Sequence, residues 1–381
     1  MHRVLHYIGS LNHGGAQSVI LNLYKQIDRS KWQFDFISHN ENEVELRDEI
    51  EGLGGRCYFV KPLRGFNIHS FQQEWAAFFR EHDEYDIIHS HMRSTASLVV
   101  PAAKKAGLCT IVHSHSTSNG TGASATIKNL LQYPVRFETD YLISCSHEAG
   151  EWLFGKKACQ SDRYLYLPNA INLDTYRFDA SRRERYRREL GLNGCTVFGH
   201  VGRLNTAKNH RFLIEAFALI HQRNESAKLL LVGDGELREE ISGLIRDAGL
   251  SGCVLMLGDR SDVPSLLQAM DVFLFPSLWE GLPVTVVEAL ASGLPCYVSD
   301  AITHDIDICD EVVRLPIDDV GVWADKVGGI VRPGRVDAIE DVRRSGFDIT
   351  SSVRTLTSVY EDALRIAGKR KESRRSLGGA C

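Results

Sequence analysis

The feature that most constrains the fold of this 381-residue chain is a regular alternation of short apolar runs with longer amphipathic stretches. Val4–Ile8 has the apolar character of a buried strand, and Ala16–Ile27 then carries apolar residues at helical spacing. The alternation continues to Tyr141–Ser144 and begins again at Thr196–Val201. Strands that alternate with helices form parallel sheets covered by helices on both faces. The sequence therefore predicts an α/β protein with two doubly wound domains.

The length of the chain also fits two domains of ordinary size. We predict an N-terminal domain over 1–170 and a C-terminal domain over 171–350, with the junction inside Leu167–Ile171. A helix is predicted over 351–367, where it would pack back on the N-terminal domain. Residues 368–381 are basic and poor in apolar side chains, so they are predicted to form a mobile tail.

Composition and charge exclude several other classes of protein. The net charge of −5 provides no basic field for nucleic acid, and the arginine-rich stretch Asp179–Leu190 is predicted to be a solvated helix. None of the nine cysteines forms a CxxC pair, which favours free thiols in a reducing compartment. We find neither a signal-peptide pattern nor an apolar run of about 18 residues. We therefore expect a cytoplasmic protein, and contact with a membrane surface stays open.

Each half of the chain opens with a strand followed by a glycine turn, where backbone N–H groups can approach an anion. The first turn contains Gly14 and Gly15, and the second contains Gly202, followed by Arg203 and Lys208. Arginine offers a planar fork and lysine a point charge, and both can bind a diphosphate. Taken alone, the same residues also fit a tightly packed turn beside two surface cations.

A second constellation follows the predicted strand that ends at Phe275. Glu280 lies in the next loop, and Gly281, Leu282 and Pro283 lead into a predicted helix that contains Glu288. Proline suits the first turn of a helix, so Pro283 is expected there. The free N–H groups of a helix start can bind phosphate or sugar oxygens, and carboxylates accept hydrogen bonds from sugar hydroxyls. Both glutamates interrupt apolar context, so each is expected to have a partner.

In this order, the motifs of the C-terminal half resemble those of glycosyltransferase family 4. They are Gly202-Arg203-Leu204 with Lys208-Asn209, Val232-Gly233-Asp234-Gly235-Glu236-Leu237, and Glu280 with seven residues before Glu288. The resemblance extends from about Val4 to about Arg365. It implies a GT-B fold, in which two Rossmann-like domains face each other across a cleft. It also implies a retaining transfer of a sugar from a nucleotide-diphosphate donor.

The N-terminal half narrows the resemblance to bacterial exopolysaccharide and capsule glycosyltransferases. The segments that carry this narrower resemblance are Gly14–Gln17, Tyr85–His91 and His113–His115. Analogy with this subgroup favours a UDP-sugar as donor. It also favours a glycan or polyprenyl-linked sugar as acceptor, bound by the N-terminal domain near the inner face of the membrane.

The resemblance also assigns roles in the C-terminal half. Arg203 and Lys208 would bind the diphosphate, Glu288 the ribose and Glu280 the transferred sugar. Arg260 follows a strand where the family usually holds the base, which makes it a candidate base contact. The retaining reaction is usually described as a front-face displacement. The departing phosphate helps to deprotonate the acceptor, so no protein nucleophile is required.

In the N-terminal half, the resemblance places the loop of Gly14 and Gly15 against the diphosphate and the acceptor. A histidine at the end of the predicted strand Thr110–His113 would hydrogen-bond the donor sugar and orient it. His113 is favoured for this role, and His115 is the alternative because the register of the loop is not fixed by the sequence. A histidine exposed on a loop, without a function, is the structural alternative for either of them.

No cofactor and no catalytic metal are expected. The two His-Ser-His triplets, His89–His91 and His113–His115, suggest a metal site, but no acidic or cysteine ligand is patterned beside them. Asp305–Asp307 resembles a metal-binding DxD motif but lies far from the nucleotide elements. Gly233-Asp234-Gly235 lacks the third glycine of a dinucleotide fingerprint. The alternative functions are a nucleotide-sugar epimerase or phosphorylase on the same fold, and a non-catalytic partner subunit.

Overall fold

Each half of the chain folds around its own parallel sheet, as a computed structural model shows. One unit comprises Met1–Ala170 and Ile349–Cys381, and the other comprises Ile171–Asp348. The prediction of two doubly wound α/β domains is confirmed. The structure describes residues 1–12, 14–65, 67–117, 122–330 and 334–378.

The N-terminal unit contains seven parallel strands. They are β1 (His2–Tyr7), β2 (Trp32–Ser38), β3 (Cys57–Phe59), β4 (Ile87–Ser90), β5 (Cys109–Ser114), β6 (Tyr141–Ser144) and β7 (Tyr164–Tyr166). Their spatial order is β3-β2-β1-β4-β5-β6-β7, so the strand order reverses between β1 and β4. The register pairs His6 with His89 at this position. In open α/β sheets, ligands bind outside the carboxyl ends of the strands at such a reversal.

Helices cover both faces of this sheet. They are α1 (Gly15–Gln26), α2 (Arg47–Gly52), α3 (Ile68–Glu81), α4 (Ala96–Ala106), α5 (Ala123–Gln132), α6 (Val135–Glu138), α7 (His147–Phe154) and α8 (Lys156–Cys159). The apolar residues of α1 form one core with the sheet, and those of α3 and α4 form another on the opposite face. Burial on both faces explains why the strands read as continuous apolar runs.

The C-terminal unit contains six parallel strands. They are β8 (Thr196–Val201), β9 (Ala227–Val232), β10 (Val254–Gly258), β11 (Val272–Phe275), β12 (Cys296–Ser299) and β13 (Val312–Leu315). The spatial order is β10-β9-β8-β11-β12-β13, and the reversal lies between β8 and β11. The segments that contain Arg203, Lys208 and Glu280 follow these two strands.

The helices of this unit again alternate with its strands. They are α9 (Leu173–Tyr176), α10 (Ala180–Glu189), α11 (His210–Arg223), α12 (Arg238–Asp247), α13 (Val263–Ala269), α14 (Val284–Ala291), α15 (Val320–Val327) and α16 (Ile339–Arg344). Apolar side chains of α11, α12 and α15 form a core with the sheet. Within the described ranges of both units, no helix combines the length and the apolarity that a membrane span requires.

The prediction of a solvated helix for the arginine-rich stretch is wrong for one face of α10. Arg187 is only 7% exposed and donates a hydrogen bond of 3.0 Å to Asp271. Arg183 pairs with the other carboxylate oxygen of Asp271. A buried carboxylate next to β11 thus gives two arginines a partner, which composition alone does not reveal.

The prediction of a mobile tail is also wrong for most of its length. One helix, α17, runs over Ile349–Gly378 within the N-terminal unit, so it extends well beyond the predicted end at 367. Residues 379–381 of the predicted tail lie outside the described residues. Basic composition predicts a solvated segment, but basic side chains of α17 form ion pairs with carboxylates of the N-terminal unit.

The extra turns of α17 are anchored by ion pairs. Arg370 donates hydrogen bonds of 2.7 and 2.6 Å to the two carboxylate oxygens of Asp140, and Lys371 lies 2.8 Å from Asp86. Burial opposes the ionisation of Asp140, but hydrogen bonds from Arg370 and Thr110 outweigh it and hold the pKa of Asp140 at about 2. The carboxylate is therefore charged at neutral pH and fixes this part of the helix.

Candidate active site

Three turns at the carboxyl edge of the C-terminal sheet are joined by backbone hydrogen bonds. Gly202 N donates to Val232 O at 2.9 Å, and Gly233 N donates to Gly258 O at 2.8 Å. Gly233 has φ = +130°, and a Cβ atom at this position would lie 2.1 Å from Gly202 O. Only glycine permits this approach, so the turn after β9 supports the turn that contains Arg203.

A pocket of about 340 Å³ lies between these turns. It is lined by Val201, Gly202, Arg203, Val232, Gly233, Asp234, Asp259, Arg260 and Val263. The structure thus brings Arg203 and Arg260 to one pocket. The side chain of Arg203 is 70% exposed and pairs with Glu236 at 3.2 Å, and Arg260 binds both carboxylate oxygens of Asp262. Each pair is accessible to solvent, so each guanidinium can exchange its carboxylate for an anionic ligand.

Lys208 and Glu280 meet beside this pocket's first turn. Lys208 Nζ lies 2.5 Å from Glu280 Oε1, and each side chain is 14% exposed. The ammonium also lies 4.7 Å from the centre of the Phe275 ring. Leu278 N donates to Ala207 O at 2.8 Å, which joins the two loops that carry the pair. A cation and a carboxylate that are 72 residues apart in the sequence therefore form one site.

Glu288 lies one turn into α14, where its side chain is partly buried. Tyr176 Oη donates a hydrogen bond of 2.7 Å to Glu288 Oε1. Burial raises the pKa of Glu288 to about 7, and the hydrogen bond from Tyr176 opposes this rise. Pro283 precedes the helix as its N-cap residue, so it is not in the first turn, where it was expected. Gly281 and Leu282 form the loop that leads to it.

Three further polar side chains belong to the same loops or to the first turn of α14. Asn205 Oδ1, Ser277 Oγ and Thr285 Oγ1 are buried, and none has a hydrogen-bond partner among the described residues. Buried polar atoms without a partner are rare in native proteins and point to a ligand or to water. Sequence reasoning missed these three because Asn, Ser and Thr are ordinary at turns and helix starts. It also missed Tyr176, which lies 112 residues from Glu288.

In the N-terminal unit, α1 begins directly at the predicted glycine loop. Gly15 is its first residue, and Gly14 precedes it in an extended conformation, with φ = −171° and ψ = 165°. Among the described residues, no side chain caps this helix start. The free backbone N–H groups at the start of α1 can therefore donate hydrogen bonds to an anion. His13, the preceding member of the motif, lies outside the described residues.

Five histidines form a cluster at the carboxyl edge of the same sheet: His6, His89 and His113 lie in three neighbouring strands, and His91 and His115 directly follow two of them. His6 Nδ1 lies 3.0 Å from His91 Nε2, and His91 Nδ1 lies 2.9 Å from His115 Nε2. The rings of His113 and His115 stack with centroids 4.0 Å apart, and His89 lies 5.4 Å from His113. Burial lowers the pKa of all five, to about 3 for His6 and about 4 for His115. All five are therefore neutral at pH 7.

The structure places His113 inside β5, which continues to Ser114, so the strand does not end at His113 as predicted. His113 is 1% exposed and is not a loop histidine. Neither of its ring nitrogens has a partner among the described residues, whereas His115 is partly exposed and bonded to His91. The sequence shows the two triplets but not that they lie next to His6. The register of the parallel strands places them together, since β1 pairs with β4 and β4 pairs with β5.

The Asp305–Asp307 triplet has none of the character of an open metal site. Asp307 Oδ2 lies 2.6 Å from His304 Nδ1, and Arg314 donates to Asp307 as well. Asp305 lies in a single 3₁₀ turn. Asp307 therefore forms a local ion-pair network with His304 and Arg314 at the end of that turn.

Comparisons with known proteins give consistent matches over both units. The family model described as "Glycosyl transferases group 1" matches residues 182–317, and the one described as "Glycosyltransferase Family 4" matches residues 13–175. The chain is 34% identical over 370 residues to "Putative glycosyltransferase EpsF" of Bacillus subtilis (strain 168), covering 94% of this chain and 96% of that protein. It is 28% identical over 273 residues to the Escherichia coli "UDP-Gal:alpha-D-GlcNAc-diphosphoundecaprenol alpha-1,3-galactosyltransferase", covering 68% and 69% of the two chains.

Solved structures share the fold at low sequence identity. Anabaena Alr3699/HepE in complex with UDP has a TM-score of 0.72 at 20% identity, covering 99% of this chain and 100% of that chain. A glycosyltransferase from Rickettsia africae ESF-5 has a TM-score of 0.77 at 15% identity, covering 95% and 98%. At these identities the likeness establishes the arrangement of the elements.

Proposed function

This chain belongs to glycosyltransferase family 4, and from this premise we propose the donor, the acceptor and the mechanism of the sugar transfer that it catalyses. The proposed donor is a UDP-sugar. The proposed acceptor is a glycan or a lipid-linked sugar in the synthesis of exopolysaccharide or capsular polysaccharide. The two doubly wound domains are those of the GT-B fold.

The observation that carries the proposal is the pair of Lys208 and Glu280 beside the pocket that contains Arg203. In a nucleotide-diphosphate sugar, the bond to be broken joins a diphosphate anion to a polyhydroxylated ring. A site for this bond needs a cation and a hydrogen-bond acceptor side by side. Lys208 and Arg203 supply positive charge for the diphosphate, and Glu280 accepts hydrogen bonds from the sugar hydroxyls.

Glu288 is the proposed ligand of the ribose diol. A carboxylate accepts hydrogen bonds from both hydroxyls when it is ionised, and Tyr176 stabilises the ionised form by donating to the same group. Arg260, which lines the same pocket, is a proposed contact of the base. The buried polar atoms of Asn205 and Ser277 are further candidates for hydrogen bonds with the donor.

The names of similar proteins support the proposed identity of both substrates. The name of the Escherichia coli relative contains UDP-Gal, and the Anabaena protein was solved with UDP. A lipid-linked acceptor is supported by two relatives whose names contain a diphospho-undecaprenol acceptor, from Escherichia coli and Campylobacter jejuni. The exopolysaccharide setting is proposed from the N-terminal segments that resemble that subgroup.

We propose a retaining, metal-independent front-face displacement. The bond between the anomeric carbon and the diphosphate oxygen breaks, and the acceptor oxygen attacks the same face of the sugar. Lys208 and Arg203 stabilise the negative charge that grows on the leaving diphosphate. The acceptor proton passes to a leaving phosphate oxygen. His113, with His115 as the alternative, orients the donor sugar, and Gly14 and Gly15 present N–H groups to the diphosphate.

The test is to incubate the purified protein with UDP-sugars and a lipid-linked sugar acceptor, with and without a chelator. We expect a glycoside whose anomeric configuration matches the donor, formed at an unchanged rate in the chelator. An inverted product, or a product that needs added metal, would overturn the proposed mechanism. A control without acceptor, with inorganic phosphate, tests the epimerase and phosphorylase alternatives, which would consume the donor there.

We also propose that this enzyme works at the cytoplasmic surface of a membrane. Large apolar side chains recur every three or four residues along α5 and α6 and are more than half exposed. This apolar face consists of Ile127 (58%), Leu130 (71%), Tyr133 (54%) and Phe137 (64%). From Gly122 to Glu138, the last residue of α6, the charged side chains are Lys128, Arg136 and Glu138, so the segment has a net charge of +1. An apolar face with basic residues beside it suits a bilayer that contains anionic lipid.

Co-sedimentation with vesicles tests this surface. The wild-type protein is expected to bind phosphatidylglycerol vesicles more strongly than phosphatidylcholine vesicles, and the double variant Leu130→Asp, Phe137→Asp is expected to lose that binding. Ile68→Asp is a matched control, because Ile68 is 39% exposed on α3 of the same unit. Equal binding by the double variant and the wild type would eliminate this face as the contact.

A further inference from the structure

The histidine cluster holds more imidazole nitrogens than hydrogen-bond partners. The buried ring nitrogens that lack a partner among the described residues are His6 Nε2, His89 Nε2, His113 Nδ1, His113 Nε2 and His115 Nδ1. A buried polar atom without a hydrogen-bond partner destabilises the fold. Five such atoms gathered in one place point to a ligand or to water that offsets this destabilisation.

The bonding pattern of the cluster leaves nitrogen lone pairs without a hydrogen-bond donor. His6, His91 and His115 form a chain of two N···N hydrogen bonds, of 3.0 and 2.9 Å. A neutral imidazole carries one proton and one lone pair. Whichever way the protons are arranged along the chain, one of its ends presents an unused lone pair. His113 adds another, because one of its two unpartnered nitrogens carries no proton.

We propose that His91, His113 and His115 form a binding site for a divalent transition-metal ion of the Zn²⁺ type. One ring nitrogen from each residue lies within 4.8 Å of the others. Tetrahedral zinc with Zn–N bonds of about 2.1 Å separates its ligand nitrogens by about 3.4 Å. The 2.9 Å between His91 Nδ1 and His115 Nε2 therefore needs to open by only a few tenths of an ångström. Three protein ligands leave a fourth position for water.

The surroundings of this triad suit a metal better than those of the neighbouring triad. His91 Nε2 faces His6 Nδ1, so it can donate its proton there while Nδ1 binds the ion. Asn169 Oδ1 is a buried acceptor near His115, and it can receive a hydrogen bond from His115 Nδ1 when His115 Nε2 binds the ion. Such outer hydrogen bonds orient metal-binding imidazoles. The neighbouring triad consists of His6, His89 and His91. Its His6 and His89 are each 1% exposed, whereas the proposed triad has two partly exposed members, His91 and His115.

The ligand set selects the class of ion. The clustered ligands are all histidines, with no carboxylate among them. Neutral imidazoles favour zinc, cobalt, nickel and copper over magnesium and calcium, which prefer oxygen. His113 and His115 are also the residues proposed to orient the donor sugar, so a bound ion would occupy them in place of the sugar. Binding of the ion itself does not depend on the sugar-transfer proposal. Binding, rather than turnover, is therefore the property to measure.

The test is to titrate the metal-stripped full-length protein with Co²⁺ and then with Zn²⁺. We expect about one equivalent of Co²⁺ with weak visible bands of a nitrogen- and oxygen-coordinated ion, and displacement by Zn²⁺, which binds such sites more tightly. A band of thiolate-to-cobalt charge transfer is not expected, although the chain contains free cysteines. His115→Asn and His91→Asn are each expected to weaken binding by at least about 100-fold.

His304→Asn is the matched control, because His304 is an exposed histidine on the other unit whose side chain is 76% accessible. Its binding is expected to equal that of the wild type. The proposal fails if the wild type binds no ion, if both cluster variants bind as the wild type does, or if thiolate bands dominate. Near-ultraviolet circular dichroism verifies the fold of each variant, and the cobalt spectrum of the wild type decides the ligand type even if one variant does not fold.

Discussion

Lys208 Nζ lies 2.5 Å from Glu280 Oε1, and the two side chains come from the loops that follow β8 and β11, on either side of the strand-order reversal. Both side chains are mostly buried, so this pair is not an ordinary surface ion pair. The ion pair holds a cation and a carboxylate where a donor can bind, with little reorganisation needed.

The first prediction concerns this pair. Lys208→Ala and Glu280→Ala are each expected to lower kcat/KM for transfer by about 100-fold or more, because each removes a group that contacts the bond to be broken. Steady-state kinetics with the native donor gives the comparison. Arg211→Ala and Glu240→Ala remove an exposed ion pair of the same unit and are expected to leave transfer unchanged. Full turnover by either site variant would contradict the assigned roles.

A second prediction concerns Gly233 and the turn that it supports. Gly233→Ala is expected to raise the KM for the donor several-fold and to lower the melting temperature, because the new Cβ atom would collide with Gly202 O. Gly249→Ala is the control: Gly249 also has a positive φ, of +72°, but a Cβ atom there meets nothing within 4 Å. The control is expected to lose about 1 kcal/mol of stability without any change in KM. Equal KM values for the two variants would show that the turn tolerates the collision.

A third prediction is a pH dependence that comes from Glu288. Its pKa in the folded protein is about 7, above the ordinary value of 4.5, so burial favours the neutral form. The contribution of the neutral Glu288 side chain to the free energy of unfolding is fully present below about pH 4.5. This contribution is lost as the pH rises through about 7. Relative to Glu288→Gln, the wild type is therefore expected to lose up to about 2–3 kcal/mol between about pH 4.5 and about pH 8.

Denaturant unfolding of the two proteins across this pH range measures the difference. Tyr176→Phe removes the hydrogen bond that favours the carboxylate, so it is expected to move the midpoint of the loss to higher pH. A constant difference between wild type and Glu288→Gln at all pH values would show that Glu288 does not titrate in this range.

A fourth prediction concerns the C-terminal turns of α17. Arg370→Ala is expected to destabilise the fold by about 1–2 kcal/mol, because it leaves the charged Asp140 without its main partner. Arg365→Ala, on the same helix, removes a pair whose arginine is 75% exposed and should change stability by less than about 0.5 kcal/mol. Thermal unfolding of the two variants compares them. A truly mobile tail would make both substitutions neutral.

Periodicity and motif order predicted the general architecture. Apolar runs at strand spacing predicted strands such as Thr196–Val201 correctly to the residue, because strands buried on both faces carry little but apolar side chains. The family was also identified from the sequence, since the matches to known glycosyltransferases confirm it. The roles of Arg203, Lys208 and Glu280 remain predictions.

Contacts between distant residues were not predictable in the same way. From composition, α10 and the end of α17 are expected to be solvated. Their arginines instead pair with Asp271 and Asp140, which are far away in the sequence. The hydrogen bond of Tyr176 with Glu288 and the convergence of the histidines also depend on the tertiary fold. A sequence pattern reports which side chains are charged or apolar, but the partner that buries or neutralises each of them is set by the packing of the sheets.

The central claim is that the C-terminal unit binds a nucleotide-sugar donor through Lys208 and Glu280. Thermal unfolding with UDP-, GDP- and ADP-sugars tests it most directly, because a ligand that binds only the folded state at about 100 times its Kd stabilises by about 2.7 kcal/mol. We predict that a UDP-sugar raises the melting temperature of the wild type and that Lys208→Ala abolishes the rise. No rise with any of the three donors, or an equal rise in Lys208→Ala, would contradict the claim.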